Sequence, residues 1–350
     1  MARTGISDPQ KGDLPCNQTY AWFVEAFGHA FVSANNQIKY PMLHPMNNLL
    51  QRTLLGATLS LSLATLALAK DKDNDPDVFT LKVVAKGLSR PTGIVAASHD
   101  RIFFTEIPTP GVAGGLNAVK ELNLRSGAIS TIHQGEPNPV NITIDHCDVL
   151  YWTCKTAGVI LESGAYPGAT AAKLLTGLTK PSGIAVDRDG KVYYTELPTP
   201  GVAGGLNKVS VVDTESSNPP VVLHMGEPEP TDIAVSKHGD LYWACKTAGV
   251  ILHRDEEGVT TKLLTGLISP QGIALNRSSR LLYWTEVPTP GVSGANGGTN
   301  KVWQYDLKQG VKTLVHSGDP EPSDVTVGPD GSVYWTCSSA GVIVQARKDD

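Results

Sequence analysis

Four sets of side chains able to do chemistry recur three times along the chain. Cys154, Cys245 and Cys337 each close an aromatic run, and Lys155 and Lys246 follow two of them, with Ser338 in the third place. His133, His224 and His316 each stand three residues before an acid, Glu136, Glu227 and Asp319. Glu106, Glu196 and Glu286 end a second kind of aromatic run, and Asn141, Asp232 and Asp324 each lie two residues after a proline. A thiolate, an imidazole and a carboxylate are good ligands for Zn²⁺ or Cu, whereas carboxylates and amide oxygens suit Ca²⁺ or Mg²⁺. Each set also has a structural reading. Buried cysteine packs as a small hydrophobe, His and Glu satisfy loop amides at strand ends, and Asp before Ile or Val makes an Asx turn. Either Asn141, Asp232 and Asp324 converge on one axial ion or each repeat holds its own site. Spacing along the chain leaves open whether the Cys and His of one set stand close enough for one tetrahedral ion.

No His-Glu-x-x-His pair, phosphate-binding Gly-rich loop or Gly-x-Ser-x-Gly elbow is present. The formal net charge is −5 and no block of Lys or Arg stands out. Nucleic acid is therefore excluded as the main partner, since phosphate binding needs clustered cations. The acidic run Asp71 to Asp77 begins like a calcium loop, but Pro76 replaces the turn Gly and Lys82 the bidentate Glu. Residues 70–78 therefore read as a solvated linker. Thr53 to Ala69 is uncharged, follows Arg52 and ends in Ala67-Leu68-Ala69, the pattern of a secretory signal peptide over 46–69 with cleavage before Lys70. Residues 1–45 then read as an upstream extension or as the product of a misassigned start at Met1 in place of Met46, and the alternative for the apolar stretch is an uncleaved anchor. The expected product is secreted or periplasmic, monomeric, and free of stable membrane insertion after cleavage. Cys147, Cys154, Cys245 and Cys337 read as unpaired there, which invites a metal or reactive-thiol explanation. Asn141-Ile142-Thr143 and Asn276-Arg277-Ser278 are glycosylation sequons.

The elements that position these residues are short strands. Gly87-Leu88, Gly177-Leu178 and Gly266-Leu267 open three segments 90 and 89 residues apart, and each segment contains two related halves. Halves of roughly 40 to 50 residues match four-stranded propeller blades. Ile184-Ala185-Val186 reads as a short inner strand, Asp187 to Gly190 as a tight turn, and Val192 to Thr195 as a strand of aromatic and β-branched residues. Helical periodicity is absent over 79–350. The fold class expected is all-β: a six-bladed β-propeller of three two-blade repeats. Leu81 to Lys86 sits where an outer strand should, with no blade before it, while the chain ends soon after a third strand at Val344. The N-terminal strand is thus expected to complete the last blade and remove both edges.

Leu150-Tyr151-Trp152-Thr153, Leu241-Tyr242-Trp243 and Leu282-Tyr283-Trp284-Thr285 resemble the YWTD repeats of lipoprotein-receptor propellers. The Pro-x-Gly-Ile-Ala-Val pattern at Pro181 resembles NHL propellers and the senescence-marker-protein/gluconolactonase group. The resemblance implies the fold and leaves function open, because propellers host unrelated activities. The receptor repeat's Asp is Glu or Cys at every copy, so receptor partners do not carry over. The gluconolactonase group implies metal-dependent hydrolysis at the channel mouth, although its ligands do not map one by one here. Alternating strand direction places the repeated chemistry on one face, termed the top. Three stiff loops should surround the channel there: Pro108-Thr109-Pro110, Pro198-Thr199-Pro200 and Pro288-Thr289-Pro290. Bottom turns such as Asp189-Gly190 and His238-Gly239 need only turn chemistry. The leading expectation is a secreted module binding a small ligand, metal or peptide over the top of the channel. The alternatives are a metal-dependent lactonase or esterase, with Asn141, Asp232 and Asp324 holding the ion, and a structural protein-interaction propeller.

Overall fold

Six short inner strands each begin at a proline: Pro91, Pro139, Pro181, Pro230, Pro270 and Pro322. Each starts a sheet of four antiparallel strands, and neighbouring inner strands touch all the way round a closed ring. The structure, a computed structural model, describes residues 78–108, 116–135, 137–197, 206–226, 229–288 and 299–349. Blades 1 to 5 begin at Pro91, Pro139, Pro181, Pro230 and Pro270 and end with outer strands Ile129–Gln134, Ala172–Leu175, Val221–Met225, Thr260–Leu264 and Val311–Ser317. Blade 6 joins Pro322–Val327, Val333–Cys337 and Val342–Lys348 to Phe79–Lys86, which lies outermost with Leu81 opposite Ala346 and Val83 opposite Val344. Among the described residues no helix is long and apolar enough to cross a membrane.

Proline has no N–H to give to a ladder, so it suits the first position of a strand or a bulge. Here it does both: in every blade the register slips just after that proline, for example between Pro181 and Ile184 and between Pro230 and Asp232. The residue before each proline is left-handed, with φ of 45° at Arg90, 53° at Asn138, 46° at Lys180, 48° at Glu229, 51° at Ser269 and 50° at Glu321. A non-glycine residue there is strained and needs a fixed reason. The reason is a repeated latch. The carbonyl of each left-handed residue accepts the N–H of the residue just past the second strand, as Asn138 does from Lys155 at 3.1 Å and Glu229 from Lys246 at 3.0 Å.

The Thr of the second-strand motif fills the bulge. Thr105, Thr195 and Thr285 accept the amides of Gly93, Gly183 and Gly272 at 2.9, 2.8 and 3.0 Å. These three glycines are required because a Cβ would lie 2.4–2.5 Å from the Cα of Asn141, Asp232 or Asp324 on the following blade. The second strands are buried on both faces, so successive side chains serve different interfaces. Trp152 packs with Phe103 of blade 1, whereas Tyr151 packs with Ile184 and Val192 of blade 3. Trp152, Trp243, Trp284 and Trp335 are fully buried, and six such clusters form a core divided between the blades.

Candidate functional site

The bulge turns the third residue of each even-blade inner strand toward the axis. Asn141, Asp232 and Asp324, from blades 2, 4 and 6, meet there and are 7%, 5% and 5% exposed. Asn141 Nδ2 donates to Asp232 Oδ1 at 2.7 Å, and Asp232 and Asp324 are hydrogen-bonded to each other. Two carboxyl groups in such contact share a proton, and burial raises both above the usual carboxylate range. Backbone amides hold the group in place. Asp232 accepts from its own neighbour Ile233 at 2.8 Å and from Ile273 of the next blade at 2.8 Å. Asp324 accepts from Val325 at 2.8 Å and from Ile94 of blade 1 at 2.9 Å. Asn141 Oδ1 accepts from Ile142 N at 2.6 Å. The group therefore ties non-adjacent blades 2, 4 and 6 together in a buried polar cluster, the axial plug of the ring. As a glycosylation acceptor Asn141 is out of reach, whereas Asn276 lies half-exposed in a bottom turn.

Lys155 and Lys246 stand at the top of the same even blades, each half-buried. Burial and the neighbouring ammonium groups of Lys180 and Lys246 hold Lys155 below the usual lysine range, with Glu229 opposing. Lys180 was not singled out from sequence. Its only signal was its place before the blade 3 proline, shared with Arg90 and Ser269. The third equivalent of Lys155, Ser338, is buried, so the mouth is cationic on one arc only. Glu229 and Glu321 accept hydrogen bonds from the hydroxyls of Thr247 and Ser339, and Glu229 still acts on Lys155.

The remaining repeated residues serve the framework. Glu106, Glu196 and Glu286 are buried. Glu106 accepts from Ser89 N at 3.1 Å and pairs with Lys120 at 2.5 Å; Glu196 accepts from Thr179 N at 2.7 Å. Glu286 instead accepts from Trp284 Nε1 at 3.2 Å. Each histidine lies on the tryptophan of the next blade, His133 on Trp152, His224 on Trp243 and His316 on Trp335, with ring centroids 5.1, 5.3 and 5.9 Å apart. The His and Cys of one repeat share a carboxylate partner. In the third repeat Asp319 links them, 3.2 Å from His316 Nε2, 2.7 Å from Trp335 Nε1 and hydrogen-bonded to Cys337. Burial pushes the Cys337 thiol far above its usual range, so it is a thiol and not a thiolate. His133 Nε2 lies 2.8 Å from Ser163 Oγ instead. Among the described residues no three His, Cys, Asp or Glu side chains are arranged to hold a metal ion. Cys154, Cys245 and Cys337 are fully buried, and Cys147, expected to be unpaired, is disulfide-bonded.

Pro108 is half-buried and Pro288 buried at the roots of the top loops. Thr109, Pro110, Pro198, Thr199, Pro200, Thr289 and Pro290 lie outside the described residues, as do Glu136, Glu227 and the leader and linker segments through residue 77. The bottom face carries more than turn chemistry. A cavity of about 360 Å³ opens there across blades 2 to 5, lined in part by Asp145, His146, Asp187, Arg188, Lys237 and Arg277.

No protein-family model and no curated protein matches the chain. Solved structures do resemble it. A gluconolactonase from Xanthomonas campestris aligns with a TM-score of 0.60 at 14% identity, over 79% of this chain and 96% of that one. Virginiamycin B lyase from Staphylococcus aureus aligns at 0.53 and 14%, over 77% and 99%. A nidogen/laminin complex aligns at 0.53 and 17%, over 66% and 80%. At these identities the likeness is one of fold alone.

Proposed function

We propose that this chain is a secreted ligand-binding propeller that takes a small anion, of the carboxylate class, at the top mouth of its channel. The observation that supports it is a half-buried Lys155 that feels the charges of Lys180 and Lys246, with Glu229 opposing. Like charges cost free energy when held together in partial burial, and a bound anion offsets that cost. The first test is calorimetric titration of the full chain with gluconate, a carboxylate related to the substrate named for one structural neighbour. The double variant Lys155→Ser, Lys246→Ser carries the residue found in the third repeat. Binding that weakens tenfold or more in the variant supports the reading, and equal binding by both proteins overturns it.

A second reading, a metal-dependent lactonase, is favoured by the convergence of Asn141, Asp232 and Asp324. The donor set fits a hard divalent cation: two carboxylates and an amide oxygen, with water completing the six to eight oxygens that Ca²⁺ takes. A cation there would replace the shared proton and require the Asn141 amide to turn its oxygen to the axis. Bound, it would supply Lewis-acid polarisation of a carbonyl and an activated water. Asp232 and Asp324 would bind it while the amides of Ile273 and Ile94 hold them in place. Melting curves at pH 8 with calcium or with chelator, beside a δ-gluconolactone hydrolysis assay, distinguish the readings. A calcium-dependent rise in melting temperature lost in Asp324→Asn would support the ion, and no rise would remove it.

A further inference from the structure

The bottom mouth of the channel is built differently from the top. The last residues of four inner strands, Ile144, Val186, Val235 and Leu275, line it with an apolar surface that is only half-buried. The second turn residue of the same four blades forms the rim: His146, Arg188, Lys237 and Arg277, all exposed. The corresponding positions on blades 1 and 6 are Ser98 and Pro329, so this cationic arc does not follow the three-fold repeat.

The two acids in the same rim are already engaged. Asp145 accepts from Cys147 N, Val149 N and Tyr151 Oη, the last at 3.1 Å. Asp187 accepts from Asp189 N, Lys191 N and Tyr193 Oη, the last at 3.0 Å. Their oxygens face inward, into the turns that they cap. Arg188, Lys237 and Arg277 make no ion pair among the described residues. At about 360 Å³ the cavity falls within the size range of small-molecule sites.

We infer that the bottom mouth is a second binding site, independent of the top-face reading, for a small amphiphilic anion: an apolar body seated on Ile144, Val186, Val235 and Leu275, with a carboxylate or sulfonate among Arg188, Lys237 and Arg277. An uncharged molecule of the same shape would gain only the apolar contact, and an inorganic anion only the rim.

The test uses anilinonaphthalene sulfonate as a fluorescent probe on the folded chain, displaced by octanoate or by octanol. Octanoate should displace the probe at a concentration about tenfold below octanol, as expected for one charge-assisted contact. The variant Arg188→Ser, Arg277→Ser should raise the octanoate concentration needed about tenfold and leave octanol unchanged. Independently of any variant, octanoate should slow acetylation of Lys237 in the wild-type protein, read by peptide mass spectrometry, while octanol should not. Equal displacement by octanoate and octanol would overturn the inference, as would an unaltered double variant or unprotected Lys237. Displacement abolished by Lys155→Ser, Lys246→Ser would assign the probe to the top face and overturn it too.

Discussion

Asp232 and Asp324 hold one proton between them because two buried carboxylates cannot both ionise cheaply. The sign of the consequence is fixed. An unfolded Asp titrates at about 3.9, and burial raises both Asp232 and Asp324 above that range in the fold. The folded state therefore binds the extra proton, and its contribution to stability is complete below about pH 4 and lost as pH rises through the folded value. Melting temperature measured from pH 4 to pH 8 should fall more steeply in the wild type than in Asp324→Asn. That variant loses the acceptor for Ile94 N at every pH, so the difference in slope, not the absolute temperature, is diagnostic; equal slopes would deny the shared proton. Gly183 gives a second prediction at this scale. A methyl group there would lie 2.4 Å from Asp232 Cα, a backbone atom that cannot swing aside. Gly183→Ala should cost about 3 kcal/mol or more, seen as a lower denaturation midpoint, while a midpoint unchanged from wild type would contradict the close approach.

At the scale of the element, each even-blade second strand ends in a thiol that meets no water. Cys154, Cys245 and Cys337 are fully buried, among clusters that include Trp152, Trp243 and Trp335. A thiol in that setting is a packing residue, and its reactivity is suppressed with its ionisation. A chromogenic disulfide reagent should leave these three thiols unlabelled in the native protein and label all three on unfolding. Rapid labelling of the native protein would restore the reactive-thiol reading. The same strands show why the Tyr-Trp-Thr pattern recurs: Trp and Tyr supply opposite interfaces, and Thr satisfies the amide exposed by the proline bulge. Blade 4 carries Ala244 in the Thr place, and there Thr231 Oγ1 lies 3.0 Å from the carbonyl of Gln271.

At the scale of the whole molecule, the outermost strand of blade 6 comes from the other end of the chain. Phe79–Lys86 pairs along Val342–Lys348, and Asp349 N reaches Val78 O at 3.0 Å. A chain beginning at Gly87 would leave that strand as an open edge ready to pair with another copy. Such a truncation should lower the melting temperature and produce aggregates or dimers on gel filtration, and a synthetic peptide of residues 78–86 added in trans should reduce both effects. A monomeric truncation as stable as the full chain would show that the strand is dispensable.

The sequence alone determined the fold and the list of repeated residues, because blade formation rests on local signals: alternating aromatic strands, turn glycines, strand-opening prolines and a regular spacing. It placed Asn141, Asp232 and Asp324 near the channel for the same reason. It did not determine that they meet, since residues some 90 positions apart come into contact only when the ring closes. Nor did it show that Glu106, Glu196 and Glu286 are spent on framework contacts, or that Asp319 bridges His316 and Cys337. Those contacts cross from strand to loop or from blade to blade, and no spacing along one strand encodes them. The bottom site was hidden for a related reason. His146, Arg188, Lys237 and Arg277 belong to four unremarkable turns, and only the closed ring sets those turns side by side around one cavity.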